Sequence, residues 1–277
     1  MDRLENIEKC VGYLKEHTDF PGLAAGDGDF DPYALCSQDS VRGFLNNDNH
    51  VPSLGAYQRL MRIMMNIWEP QPLSDEYLHA QDYELQAQLH DKGIVTLDDI
   101  SASDDASPIL WQGDITRLRV DAIVNAANSV GLGCWQPLHS CIDNAIHSAA
   151  GLQLRQECNR VLHGGRIATG EAIITPGFNL PARYVIHTVG PIIPDGVPTR
   201  EQEHQLADCY RNCLMLAEAN GCRSIAFCCI STGEFRFPNQ RAAEIAVETC
   251  RAANINVVFN VFKDIDYAIY SHLLGAR

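Results

Sequence analysis

Cys134, His139 and Cys141 form a C-x4-H-x-C cluster inside the stretch WQGDITRLRVDAIVNAANSVGLGCWQPLHSCIDNAIH, residues 111–147. Two thiols and an imidazole this close together suit a borderline-soft cation such as zinc, bound as thiolate and neutral imidazole. The cluster follows a Gly131-Leu132-Gly133 turn and precedes an apolar-periodic run opening at Ile142. It is therefore expected in a loop leading into a helix N-terminus, where free backbone N–H groups and the helix dipole favour anions. A structural zinc knuckle, or buried thiols without metal, would use the same residue types. Common structural signatures, however, pair C-x2-C units, and a structural site is closed by four protein ligands. Three ligands plus an open position is the pattern of a metal that meets substrate.

The elements that must carry this loop follow from periodicity. From Ile109 onward, short apolar segments bounded by Gly, Pro, Asn or Asp alternate with helical patterns, which predicts an α/β layered domain. Strands are expected at Ile109–Gln112, Ala122–Asn125, Glu171–Thr175, Tyr184–Val189, Ser224–Ile230 and Ile255–Phe262. Helices fit Asp143–Ala150, Leu152–Leu162, Arg200–Ala219, Asn239–Ala252 and Asp264–Leu274. Near-continuous apolar strands such as SIAFCCI imply burial on both faces, hence a three-layer α/β/α sandwich.

The N-terminal third reads differently. Leu4, Ile7, Val11 and Leu14 recur at helical spacing behind Asp2, and a Gly/Asp-rich segment, 22–31, interrupts regular structure. Pro52 and Ser53 open a second helix with Tyr57, Leu60, Ile63, Met64 and Ile67 on one face, stopped by Glu69-Pro70-Gln71-Pro72. Ser74 caps a third, running to about Asp91, with Leu78, Leu85 and Leu89 facing inward. Tyr57, Met64 and Trp68 are read as core, because an amphipathic helix must bury its apolar face. The acidic stretch DDISASDDAS, residues 98–107, is the expected boundary, dividing a helical extension at 1–105 from an α/β domain at 106–277.

Open α/β sheets bind ligands beyond the carboxyl ends of their strands. The loops there are Gly113–Thr116, Asn128–Cys141, Gly190-Pro191 and Ser231-Thr232-Gly233-Glu234-Phe235. The last offers hydroxyls and a small residue where backbone can approach a diphosphate. Asp114, read by itself, caps a turn, and Asp143 reads as a helix N-cap. His147 and His187 read as packing residues.

The 277-residue chain is 46% hydrophobic and 20% charged, as for a soluble globular protein. A net charge of −14 argues against a nucleic-acid partner, which needs a basic face, but not against a small anion. Eleven cysteines, an odd number, several of them in apolar runs, read as reduced core thiols. MDRLENIEKC has no signal-peptide core and no stretch is long enough to span a bilayer. No membrane partner and a cytoplasmic location are expected.

Gly113-Asp114-Ile115-Thr116, then Val124-Asn125-Ala126-Ala127-Asn128, then Asp143 through His147 resemble a macrodomain, the ADP-ribose-binding fold. With Cys134, His139 and Cys141 in its loop, the chain is similar to the zinc-containing macrodomain subgroup, which removes ADP-ribose from modified proteins and carries a helical N-terminal extension. The resemblance implies a macrodomain with a mixed central sheet preceded by that extension. It makes Asp114 the acceptor for the adenine amine, assisted by the Ile115 backbone, and Asn128 a partner of the distal ribose. Asp143 becomes the acidic group beside that ribose. Gly133 and Ser231, Thr232, Gly233 and Glu234 become phosphate-loop residues, and Phe235 an aromatic near the nucleotide. One Zn2+ per chain, on Cys134, His139 and Cys141, is implied as cofactor. The implied activity is hydrolytic release of mono-ADP-ribose from protein, with a non-catalytic ADP-ribose reader or a deacylase of O-acyl-ADP-ribose as alternatives.

Overall fold

The apolar runs pair into one six-stranded sheet in the computed structural model, which describes residues 2–17, 53–101 and 108–275. The strands are β1 (Val95–Thr96), β2 (Ile109–Gln112), β3 (Leu118–Arg119), β4 (Ala122–Ala126), β5 (Ala172–Pro176), β6 (Tyr184–Thr188), β7 (Ser224–Phe227) and β8 (Asn256–Val261). Sheet order is β2-β8-β7-β4-β6-β5, parallel except for antiparallel β5 at one edge, while β1 and β3 form a separate parallel pair. The helices are α1 (Arg3–His17), α2 (Leu54–Asn66), α3 (Asp75–Lys92), α4 (Leu97–Ile100), α5 (Ile142–Ala150), α6 (Leu152–Leu162), α7 (Arg200–Ala219), α8 (Asn239–Cys250) and α9 (Asp264–Leu274).

Both faces of the sheet are covered, as the unalternating strands require. Ala122, Ile123 and Val124 of β4 are wholly buried, and so is the one polar residue beside them, Asn125. A parallel strand needs a crossover to reach its neighbour. The crossover after β4, through α5 and α6, leads to β5 and β6 on one side of β4. The crossover through α7 leads to β7 on the other side. The strand order therefore reverses at β4 and β7, the position where open α/β sheets bind ligands.

The expected element boundaries shift in a few places. The fifth and seventh strands run Ala172–Pro176 and Ser224–Phe227, so Cys228 to Ile230 leave the sheet and carry the chain into the site loop. The acidic stretch is not uniformly irregular. Its first residues belong to the short helix α4, closed by a capping box between Thr96 and Asp99. The expected boundary at 105/106 and the Gly/Asp-rich segment lie outside the described residues.

In the extension, Ile7, Leu14, Met61, Met64 and Trp68 form a second apolar core that meets Leu152 of α6. Of the expected inward face of α3, Leu85 is buried, Leu78 is partly buried against this core and half-buried Leu89 lines the cavity described below. α3 also buries Tyr77, Gln81 and Glu84. The polar pair is affordable because each group is satisfied. Glu84 accepts from Arg3 at 2.9 and 3.1 Å and from Gln58 Nε2 at 2.9 Å, and Gln81 bonds Gln153 and the Leu152 N–H. No helix among the described residues is long and apolar enough to cross a membrane. The ten described cysteines are all free.

Candidate active site

The carboxyl ends of β2, β4, β6, β7 and β8 open into one cavity of about 1090 Å³. The loop after β4 brings Cys134, His139 and Cys141 together, with their ligand atoms all within 4.8 Å of one another and Cys134 Sγ 3.7 Å from His139 Nδ1. All three are partly accessible from the cavity. The hydrogen bond between the two sulfurs holds Cys134 below the usual thiol range, while the same contact and burial push Cys141 up. A site that already stabilises one thiolate fits a soft dication, which needs its sulfur ligands deprotonated. On the far side of the ring, His139 Nε2 lies 3.7 Å from Glu234 Oε1 of the loop after β7.

Cys141, not Asp143, is the N-cap of α5, its sulfur accepting from the Asn144 N–H at 3.4 Å. Asp143 is therefore free of capping duty and turns inward. It is 4% exposed, with Oδ1 accepting from Asn125 Nδ2 at 2.7 Å and Oδ2 from Asn128 Nδ2 at 3.3 Å. Burial pushes its carboxyl up to about 7 against the opposing pull of the Asn125 bond. Asn128 also donates to Gly133 O at 3.0 Å, and its Oδ1 accepts from the Val130 and Gly131 N–H groups. It shapes the loop as much as it faces the cavity. Gly133 adopts φ +84°, and a Cβ there would lie 2.8 Å from the His147 ring, so the close approach needs glycine.

Asp114 Oδ1 accepts from the Thr116 N–H at 3.0 Å, capping a short 3-10 turn at Ile115–Arg117. Oδ2 lies 3.3 Å from Lys92 Nζ at the end of α3. The turn-capping role and a cavity-facing oxygen thus coexist on one carboxylate. Ile115 is buried beneath it. In the loop after β7, Ser231 is buried with its Oγ lacking any partner among the described residues and its backbone at φ 65°. Gly190 lies against it so closely that a Cβ would fall on Ser231 Oγ. Thr232, Gly233, Glu234 and half-buried Phe235 line the same wall.

The Macro domain family profile matches residues 124–246. A relative from Treponema medium, named protein-ADP-ribose hydrolase, is 50% identical over 227 residues, covering 78% of this chain and 87% of its own. The chain belongs to the macrodomain family. A second relative of the same name, from Staphylococcus aureus strain MSSA476, is 44% identical across 81% of this chain and 88% of its own. A solved Trypanosoma brucei macrodomain in complex with ADP-ribose matches with a TM-score of 0.60 and 32% identity, covering 77% of this chain and 95% of that one.

Several residues of this macrodomain's site were not singled out from sequence. Asn125, present in the sequence motif but given no role there, holds Asp143. Phe262, at the end of β8, is 77% exposed on the cavity rim, where its ring offers a stacking face. Gln58 and Arg62 of α2 and Leu89 and Lys92 of α3 line the cavity too, which helical periodicity alone does not reveal. Behind Asp143, His147, Cys158 and His187 form a fully buried trio. His187 Nδ1 lies 3.1 Å from Asn125 Nδ2 and its Nε2 lies 3.0 Å from Thr175 Oγ1, so that ring is engaged in the core.

Proposed function

We propose that this macrodomain is a zinc-dependent hydrolase that releases mono-ADP-ribose from modified protein side chains. The observation that carries the reading is the meeting, in one cavity, of the Cys134, His139 and Cys141 trio with the inward-facing carboxylate of Asp143. Relatives named protein-ADP-ribose hydrolase, at 44% to 50% identity over most of the chain, support it.

In this reading Asp114 and the Ile115 N–H take the adenine and Phe262 stacks on it. The backbone N–H groups and the unpartnered hydroxyl of the Ser231–Phe235 loop, together with the Gly133 turn, take the diphosphate. Cys134, His139 and Cys141 would hold zinc, which supplies a Lewis-acidic centre able to orient the hydroxyls of the distal ribose. Asp143, aimed by Asn125 and Asn128, accepts the proton of a water that adds to C1 of that ribose. The bond from C1 to the acceptor breaks as the new C1–O bond forms, the acceptor leaves with the electron pair, and the water proton taken up by Asp143 is available to neutralise it. Charge builds on C1 as in glycoside hydrolysis, so a carboxylate next to it stabilises the transition state more than the ground state.

The test is metal content and turnover on one preparation. About one zinc per chain, with release of ADP-ribose from a mono-ADP-ribosylated protein that chelation stops and zinc restores, is the expected outcome. Tight binding of ADP-ribose without release would make the protein a reader. Cleavage of O-acyl-ADP-ribose alone would make it a deacylase.

A further inference from the structure

The loop that carries Cys134, His139 and Cys141 is held from outside the α/β domain. Arg62 and Asn66 sit four residues apart on α2, hence on one helix face. Arg62 Nη2 and Nε donate to Asn144 Oδ1 at 2.7 and 3.1 Å, and Nη2 approaches the His139 carbonyl at 3.4 Å. Asn144 passes the constraint on. Its amide donates to Gln136 O at 2.9 Å and its backbone N–H to Cys141 Sγ. Asn66 Oδ1 accepts from the Leu138 N–H at 3.0 Å, while its amide donates to Ser148 Oγ.

Leu138 stands at φ 56°, a left-handed conformation that leucine avoids and that persists only when neighbours over-determine it. A third strut closes the frame. Buried Arg155 of α6 donates to the carbonyls of Met65, Asn66 and Trp68 at the end of α2, to Leu132 O at 2.7 Å, and stacks 4.2 Å over the Trp135 ring.

We infer that α2 of the N-terminal extension is a working part of the site, with Arg62 the positioning residue that sets His139 and Cys141 opposite Cys134. The inference rests on reading those three residues as metal ligands. Arg62 hydrogen-bonds to none of the Cys134, His139 and Cys141 side chains. It acts through Asn144 and the His139 carbonyl. This gives the extension a role beyond burying apolar surface, and it explains why a strained leucine immediately precedes a ligand.

The experiment titrates metal-free full-length protein with cobalt(II), reads the thiolate-to-cobalt absorption, and measures zinc affinity by competition with a chromogenic chelator. Wild type, Arg62→Ala, Arg62→Lys and Asn66→Ala are compared, with circular dichroism and thermal unfolding to verify folding. Arg62→Ala should weaken zinc about 10- to 100-fold, the usual cost of losing a group that orients a ligand, and should shift the cobalt spectrum. Arg62→Lys, which keeps a charged donor, should recover part of the loss. Asn66→Ala should weaken zinc in the same direction. If folded Arg62→Ala and Asn66→Ala bind metal with wild-type affinity and spectrum, the inference is overturned. If wild type itself binds no metal, the ligand reading fails first.

Discussion

Asn125 Nδ2 donates to Asp143 Oδ1 at 2.7 Å, wholly shielded from solvent, and so joins the middle strand of the sheet to the first turn of α5. That bond fixes the direction of a cavity carboxylate that caps neither a turn nor a helix. Asp143→Ala should lower turnover at least about 100-fold, as expected for loss of a proton acceptor, with ADP-ribose affinity little changed. Asn125→Leu, of similar volume but without a donor, should lower kcat about 10-fold. Single-turnover release from modified protein, set against calorimetric binding of free ADP-ribose, separates the two effects.

Metal ligation should be visible in the thiols. Cys134 lies within ligand distance of His139 and Cys141, so Cys134→Ser should remove bound zinc and turnover together while leaving the adenine end intact. Zinc assay and ADP-ribose binding on the purified variant check this, and full turnover without zinc would end the metal reading.

Asp114 offers one oxygen to Thr116 and the other to the Lys92 end of the cavity. Asp114→Ala should weaken ADP-ribose by about 10- to 100-fold, equivalent to about 1–3 kcal/mol for a lost charged acceptor, with smaller change in the rate from saturated enzyme. Phe262→Ala should cost less, about 3- to 10-fold, since stacking is worth roughly 0.5–1.5 kcal/mol. Equal affinity for adenosine- and inosine-containing ligands in wild type would contradict the assigned role of Asp114.

Gly190 sits where a Cβ would fall on Ser231 Oγ. Gly190→Ala should displace the Ser231–Phe235 loop and weaken ADP-ribose by at least about 10-fold while adenosine binding, which needs no diphosphate contact, changes little. Competition titration with both ligands distinguishes loop displacement from global unfolding.

Burial lowers the His187 imidazole to about 3, below the unfolded value of about 6.5. It faces Asn125 and Thr175, with Cys158 Sγ 3.6 Å from Nε2 and the His147 ring tilted at 5.7 Å. A depressed folded value means that the unfolded chain binds the proton first. The associated stability is present above about pH 6.5 and is lost as pH falls toward 3, amounting to about 2 kcal/mol by pH 5. His187→Gln should flatten that slope in urea unfolding measured at pH 5 and 7, even if it lowers stability at both. Parallel slopes for the two proteins would show that His187 is already solvated.

Local pattern sufficed for much of this molecule. The C-x4-H-x-C spacing, the glycine turn and the helix start at Ile142 are contiguous in sequence, so chain continuity keeps Cys134, His139 and Cys141 in one neighbourhood. The apolar runs announced a sheet buried on both faces because any side chain between two layers must avoid water whatever its strand partner. Tertiary structure decided what the short range could not. The reversal at β4 and β7 brought Glu234 to within 3.7 Å of His139 from 95 residues away, and Phe262 to the rim beyond Asp114. The polar face of α3 was hidden for a related reason. Glu84 and Gln81 are charged or polar by type, and only their long-range partners Arg3, Gln58 and Gln153 make their burial stable. The bond from Arg62 to Asn144, beside the Cys134–Cys141 loop, likewise joins residues 82 positions apart, and no periodicity in either segment records a hydrogen bond between them.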